Sequence, residues 1–103
     1  MSDDPELQQM ADALEALGSS TRLAIFTLLV PAGRKGLPVG ELQRQLDVPP
    51  STLSHHIARL VQVGLVRQER EGRSLICTAD YACMNGLIAY LTRNCCVSDS
   101  ADS

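Results

Sequence analysis

The segment 50–73 constrains the fold of this chain more than any other part of the sequence. Pro50 suits the first position of a helix, because proline lacks the N–H that a helix start cannot use. Apolar residues then recur at helical spacing to about Val63, and Gly64 ends the helix. Two short runs follow the helix directly, and in each of them apolar and polar residues alternate. The segment therefore predicts a helix of about four turns joined to a small antiparallel hairpin.

The predicted hairpin has strands Leu65–Arg70 and Ser74–Thr78. Glu71-Gly72-Arg73 lies between them, and glycine supplies the positive φ that tight hairpin turns need. Arg70 and Arg73 flank this turn, so we predict that they contact a DNA backbone. A charged hairpin beside a helix is typical of a winged module that grips duplex DNA.

A shorter helix, from Pro38 to about Leu46, precedes this segment, and Asp47-Val48-Pro49 forms a tight turn between the two. Two helices joined in this way are the helix-turn-helix pattern, in which the second helix enters the major groove. Hydroxyl and imidazole groups at the start of a helix suit phosphate and base-edge contacts. The residues predicted to contact DNA from this helix, or to support its start, are Ser51, Thr52, Ser54, His55, His56 and Arg59.

The rest of the chain predicts three more helices. They span 6–17, 21 to about 30 and 81 to about 94, with Ser19 or Ser20 and Asp80 as caps of the second and third of these. Residues 31–36 are expected to form a loop. The predicted fold is mainly α with a β-hairpin wing: disordered residues 1–5, a winged helix-turn-helix domain 6–94, and a cysteine pair with a polar tail at 95–103.

The net charge of −3 hides an uneven distribution. Residues 1–15 carry five acids and no base, whereas residues 16–73 carry eight Arg and Lys against four acids. A basic central segment can bind phosphates whatever the total charge is. The sequence therefore favours duplex DNA as partner, with modest, salt-dependent affinity.

Four cysteines are present, and no signal-peptide or membrane-spanning pattern opens the chain, so we expect a cytoplasmic protein with reduced thiols. Cys95 and Cys96 are adjacent near the end of the last predicted helix. Thiolates select soft acceptors such as As(III), Sb(III), Cu(I) or Zn. The plainer alternative is two small apolar residues at a helix end. No permanent cofactor is expected.

The order and spacing of residues 7–94 resemble the ArsR/SmtB family of winged-helix metalloregulators. Residues 17–29 resemble its opening motif, with Ser20 where proline is usual, and residues 51–66 resemble its recognition helix and wing. The resemblance implies a homodimer, formed through the first and last helices, that represses an operon and leaves DNA when a ligand binds. The segment 39–46 has no cysteine and 80–94 no histidine, so two of the family's sites are not expected here. The Cys-Cys pair resembles that of an arsenic-responsive branch, whose inducer is As(III) or Sb(III).

The third sulfur ligand is open. Cys83 lies twelve residues before Cys95, roughly 18 Å along a helix at about 1.5 Å per residue, which is too far within one chain. If two last helices pack antiparallel about a dyad near Ala89, Cys83 of one copy lies level with Cys95 of the other. Cys83 could equally be a buried small residue, and Cys77 is expected to serve packing.

Three other functions are alternatives to the metalloid-released repressor. A thiol redox or persulfide-sensing repressor of the same fold would use the same cysteines. A constitutive DNA-binding or interaction module would leave them inert. A thiol enzyme is disfavoured, because the chain has no C-x-x-C motif, no phosphate-binding loop and no base placed beside the thiols. We therefore expect no enzymatic activity.

Overall fold

The computed structural model describes residues 4–95 and shows five α-helices with a three-stranded antiparallel sheet. The elements are α1 (Pro5–Leu17), α2 (Ser20–Leu29), β1 (Leu37–Pro38), α3 (Val39–Leu46), α4 (Pro50–Gln62), β2 (Val66–Glu71), β3 (Ser74–Ala79) and α5 (Tyr81–Thr92). This order confirms the predicted winged helix-turn-helix fold: α3 and α4 form the helix pair, and β2 and β3 form the wing. Most of the two predicted terminal segments, including Cys96, lies outside the described residues.

Side-chain caps explain where three of the helices begin. The Asp4 carboxylate accepts a 3.0 Å hydrogen bond from the N–H of Glu6, and α1 starts at Pro5. The Ser19 hydroxyl accepts from an N–H in the first turn of α2, at 3.3 Å. Asp80 Oδ1 accepts from an N–H in the first turn of α5, at 2.9 Å. Such caps satisfy backbone donors that have no partner within the helix. The predicted caps of α2 and α5 are confirmed.

The core is mostly aliphatic, includes Phe26, and draws on every α-helix. Apolar spacing in α4 predicts an inward stripe of Leu53, Ile57, Leu60 and Val61; the first three are buried, and Val61 is 38% exposed instead. The sequence of α2 is apolar on most of its circumference and predicts that Leu23 is buried, but Leu23 is 46% exposed. In α1 the buried residues are Ala13 and Ala16. The apolar stripe that the sequence offers there as core or dimer seam is exposed or partly exposed: Leu7, Met10, Ala11, Leu14 and Leu17. Apolar periodicity identifies the apolar face of a helix, but only the tertiary structure shows whether a neighbouring element buries that face.

The turn within the helix-turn-helix pair was correctly predicted. Asp47 ends α3 in the left-handed conformation, with φ 53°, and its N–H donates to the carbonyl of Gln43 at 2.8 Å. A short polar residue tolerates this conformation better than most. The reversal leads directly into Pro49, and α4 starts at the next residue.

Three predicted boundaries are corrected. Residues 31–36 do not form an irregular loop, because Val30–Lys35 is a 3-10 helix kinked at Gly33. Pro38 does not open α3; it lies in the edge strand β1, which pairs antiparallel with β3 in the order β1-β3-β2. An edge strand tolerates proline because one side of its backbone needs no ladder donor. Finally, α5 ends at Thr92, two residues earlier than expected.

No single helix within residues 4–95 is long and apolar enough to cross a membrane. Taken together on length and composition alone, the pair Pro5–Leu17 and Ser20–Lys35 would qualify, with a bend of 97° between them.

Candidate nucleic-acid interface and thiol site

The outer face of α4 presents the predicted DNA-contacting residues to solvent. Leu53, Ile57 and Leu60 are buried, so the opposite side of the helix faces solvent. Four polar residues of the first two turns are exposed, and no partner within residues 4–95 covers them: Ser51, Thr52, Ser54 and His55. This arrangement leaves short donors and acceptors free to reach base edges and phosphates.

The wing places two arginines beside the helix pair. Arg70 and Arg73 are exposed on either side of Gly72, whose φ of 63° makes the hairpin turn possible. Both arginines line a cleft of about 360 Å³ that extends to the start of α3, next to Gly40. The two guanidinium groups are therefore positioned to contact a phosphate backbone passing between the wing and α3.

Arg67, at the base of the wing, has a structural partner. Its Nε donates to Asp80 Oδ2 at 3.0 Å. The backbone N–H of Cys83, followed by this arginine, holds the pKa of the Asp80 carboxyl below its ordinary value. Arg67 thus connects the wing to the start of α5.

His56 is partly buried and lies against α2 rather than on the outer face of α4. Its Nδ1 lies 3.3 Å from Nη1 of Arg22 on α2, and its ring meets that of His55 edge-on at 6.2 Å. Burial, then Arg22 and His55, lower its pKa. The structure therefore places His56 as a support between α2 and α4.

Arg59 is partly buried and paired with the first helix. Its Nη2 and Nε donate to Glu15 Oε1 at 2.7 and 3.2 Å, and its Nη1 donates to Gln62 at 2.9 Å. The hydrogen bonding from Arg59 to Glu15 is the main reason why the pKa of Glu15 is lowered. Sequence reasoning did not single out Glu15, because nothing local marks a contact with a residue 44 positions away.

Cys95 is exposed and lies in a turn just after α5. Its backbone N–H donates to the carbonyl of Thr92 at 2.8 Å, so the chain has left the regular helix there. Adjacent residues on a regular helix point about 100° apart. A turn relaxes that constraint, which removes one obstacle to a vicinal thiol pair. Cys96 lies beyond the last described residue.

Cys83 lies in the first turn of α5, facing its own chain. It is partly buried, and its thiol lies 4.0 Å from the carbonyl oxygen of Val63. It stands four residues before the buried Leu87 and so shares the inward face of α5. Burial and the neighbouring Asp80 raise the pKa of this thiol. The resting side chain is therefore a protonated thiol on the wall of an apolar cleft of about 440 Å³.

Cys77 is fully buried in β3, and burial raises the pKa of its thiol. This environment fits the predicted packing role. Within residues 4–95 no three His, Cys, Asp or Glu side chains are close enough to hold one metal ion. Cys83 lies in the first turn of α5, and Cys95 lies just after the last turn.

A recognition helix with an open polar face, beside a basic wing, defines a DNA-binding transcriptional regulator. Residues 17–69 match a family described as "Helix-turn-helix domain". The HTH-type transcriptional regulator YgaV of Escherichia coli (strain K12) is 30% identical over 86% of this chain and 88% of its own. An ArsR-like transcriptional regulator from Rhodococcus sp. RHA1 superposes with a TM-score of 0.78 at 28% identity, over 91% of this chain and 86% of that one. The chain belongs to the ArsR family of winged-helix transcriptional regulators.

A further relative is named as a candidate arsenical resistance operon repressor, ArsR, from Halobacterium salinarum (strain ATCC 700922 / JCM 11081 / NRC-1). It is 36% identical over 67% of this chain, and the match spans 53% of that protein.

Proposed function

We propose that the protein is a homodimeric repressor that leaves its operator when trivalent arsenic or antimony binds to its cysteine thiolates. The position of Cys95 supports this proposal best. Cys95 is exposed and lies in the turn that follows α5, three residues after the last helical residue. Near this end of α5, Ile88 and Leu91 are 52% and 58% exposed. The thiol therefore lies beside apolar side chains of α5 that the rest of residues 4–95 leaves partly uncovered.

A second copy of the chain is the proposed cover of that surface. Leu7 and Leu14 of α1 are also about half exposed, at 45% and 43%, and α1 packs beside α5. Burying a large aliphatic side chain contributes about 1.5–3 kcal/mol relative to full exposure. Several such residues on two neighbouring helices give a dimer interface a strong driving force.

The proposed inducer site uses Cys95 and Cys96 of one subunit. A trivalent metalloid is a soft Lewis acid that prefers thiolate ligands. The third thiolate in the proposal is Cys83 of the partner subunit, since Cys83 of the same chain is roughly 18 Å away along α5. To bind, that thiol must lose its proton and leave its contact with Val63. The Halobacterium relative named for arsenical resistance supports this class of inducer.

The exposed polar face of α4 would read base edges, and Arg70 and Arg73 would contact phosphates. Two recognition helices in a symmetric dimer contact half-sites about one DNA turn, or roughly 34 Å, apart. Thiolate coordination at the end of α5 would alter the dimer interface and so the separation of the two α4 helices. Thermodynamic linkage requires that DNA weaken inducer binding by the same factor.

The test is fluorescence anisotropy on an operator selected from a random duplex pool, with reductant present throughout. Arsenite is expected to release the wild-type protein from the operator. The Cys95→Ser and Cys96→Ser variants should stay bound to the operator. Cys77→Ala, which removes a buried thiol, serves as the matched control and should release normally. Normal release of a variant lacking both Cys95 and Cys96 would refute the metalloid proposal. A separate titration without reductant tests the redox alternative, which release by oxidant but not by arsenite would favour.

The third ligand has its own measurement. X-ray absorption of the arsenite-bound wild type should count three sulfur neighbours, and Cys83→Ser should reduce the number to two. Three sulfurs in that variant would exclude Cys83 and leave the rest of the proposal intact.

A further inference from the structure

A cleft of about 460 Å³ lies between α1 and α4, beside the exposed polar face of the recognition helix. Hereafter it is called the α1–α4 cleft. His55 and Ala58, which are both exposed on that polar face, form one wall. The cleft is therefore open to the side that we propose faces DNA. Its lining residues are Glu15, Arg22, His55, Ala58, Arg59 and Gln62.

Two guanidinium groups and one carboxylate meet in this cleft. Glu15 Oε1 accepts both hydrogen bonds from Arg59, and Oε2 lies 3.7 Å from Nη2 of Arg22. The pKa of Glu15 is lowered by these arginines, so the carboxylate stays ionised at neutral pH. Among residues 4–95, Glu15 is the one acidic side chain that lines the cleft. Without Glu15 it would hold two cations and no anion.

The two arginines differ in how firmly they are held. Arg22 is largely buried, and its Nε donates to the carbonyl oxygen of Ala16 at 2.6 Å, which fixes it in the wall. Arg59 is held on the open side by Glu15 and Gln62. The Glu15 side chain is itself 63% exposed. Exposed ion pairs contribute little free energy, so an incoming anion could replace this carboxylate at small cost.

A phosphate suits the position that Glu15 occupies. Arginine forks bind carboxylate and phosphate oxygens with the same hydrogen-bond geometry. A DNA backbone lying along α4 would bring such oxygens to the open side of the cleft. The Glu15 carboxylate thus stands where a phosphate oxygen would bind.

We propose that the α1–α4 cleft is a phosphate-binding site for duplex DNA, and that Glu15 occupies it in the free protein as an internal competitor. When DNA binds, Arg59 exchanges Glu15 for a backbone phosphate. The inference rests on the proposed function in that α4 faces duplex DNA and that the protein binds it as a dimer. It needs neither the metalloid nor the cysteines.

The test measures binding of the full chain to a labelled duplex of mixed sequence, because backbone contacts do not depend on sequence. Glu15→Gln removes the competing charge and keeps a side chain of the same size. It should bind DNA about three- to tenfold more tightly than the wild type, as expected from releasing an exposed ion pair in each subunit.

Glu6→Gln is the matched control. Glu6 lies on the same helix, pairs with Arg93 at 3.3 Å, is about half exposed, and its substitution changes the net charge by the same amount. It should change the affinity by less than about twofold, because screening weakens distant charges. Equal gains in the two variants would show that only net charge matters and would overturn the proposal. Weaker binding by Glu15→Gln would overturn it as well.

A double-variant cycle tests the route through Arg59. Arg59→Gln should lessen the dependence of log K on log salt by about 0.9 per subunit, the value for one lost phosphate contact. In that background the gain from Glu15→Gln should fall to the level of the Glu6→Gln control. A gain that persists without Arg59 would refute the exchange. Circular dichroism checks that each variant is folded, and Glu15→Ala should repeat the gain.

Failure of the inference and failure of DNA recognition give different results. If the wild type does not bind duplex DNA even at low salt, the premise about α4 is wrong. If the wild type binds and Glu15→Gln gives no gain, only the role of the α1–α4 cleft is wrong.

Discussion

The hydroxyl of Tyr81 donates a 2.6 Å hydrogen bond to the carbonyl oxygen of Val30, 51 positions earlier in the chain. This bond joins the first turn of α5 to the end of α2. The carbonyl that it satisfies belongs to the residue where α2 gives way to the 3-10 helix. The Tyr81 side chain therefore fixes the start of α5 against the end of α2.

Removal of that hydroxyl should destabilise the protein. Tyr81→Phe leaves a partly buried carbonyl without its partner, so we expect the free energy of unfolding to fall by about 1 kcal/mol. Urea denaturation followed by circular dichroism measures this. Tyr90→Phe, on the same helix, is the control, because the described residues give its hydroxyl no hydrogen bond. An equal loss in both variants would contradict the assigned role of the Tyr81 bond.

Gly33 and Gly36 share a φ of 67° but differ in their surroundings. A Cβ at Gly33 would meet no atom of the described residues within 4 Å, whereas a Cβ at Gly36 would clash with the carbonyl oxygen of Cys77. Gly33→Ala should therefore cost only backbone strain, about 1–3 kcal/mol. Gly36→Ala should cost a further 1–3 kcal/mol or so, because β3 must move. Thermal or urea unfolding of the two variants gives the comparison, and equal losses would show that β1 adapts freely.

Acid should destabilise the fold through His56. Its pKa in the folded protein lies below the ordinary value of 6.5, so the unfolded chain binds more protons. The stability that His56 contributes is therefore fully present above pH 6.5. It is lost as the pH falls towards the lower pKa that His56 has in the folded protein. Urea midpoints measured between about pH 7.5 and 5.5 should decrease in the wild type. His56→Gln should flatten this dependence. His55→Gln should retain most of it, because His55 is the smallest of the three causes that lower the pKa of His56; the reverse order would contradict the assignment.

Cys77 should resist modification in the native protein. Its side chain is fully buried and burial raises its pKa, so an alkylating agent reaches it only when the sheet opens. Cys83 lines an open cleft and should react at least about a hundredfold faster. Peptide mapping after timed exposure to iodoacetamide separates the two rates. Comparable native rates would show that β3 opens readily, and in urea the difference should disappear.

Sequence reasoning was most accurate where one short segment carries the interaction. The caps at Ser19 and Asp80 and the turn at Asp47 involve partners within four residues, and the structure contains all three. It was less accurate at Pro38, since the pairing of β1 with β3 joins residues nearly forty positions apart. Val61 and Leu23 show the same limit, because no local pattern states whether a second element covers an apolar side chain.

The amino-acid sequence alone determined the helix-turn-helix pair, the wing and the outward polar face of α4, because periodicity and turn chemistry act over a few residues. Only the tertiary structure decided that His56 faces Arg22 and that Arg59 is held by Glu15, across 34 and 44 positions. Such contacts depend on how separate helices pack. The sequence does not specify them, because an exposed charged side chain can pair with several opposite charges at similar free energy. For that reason the division of α4 into a reading face and a supporting face emerged from packing.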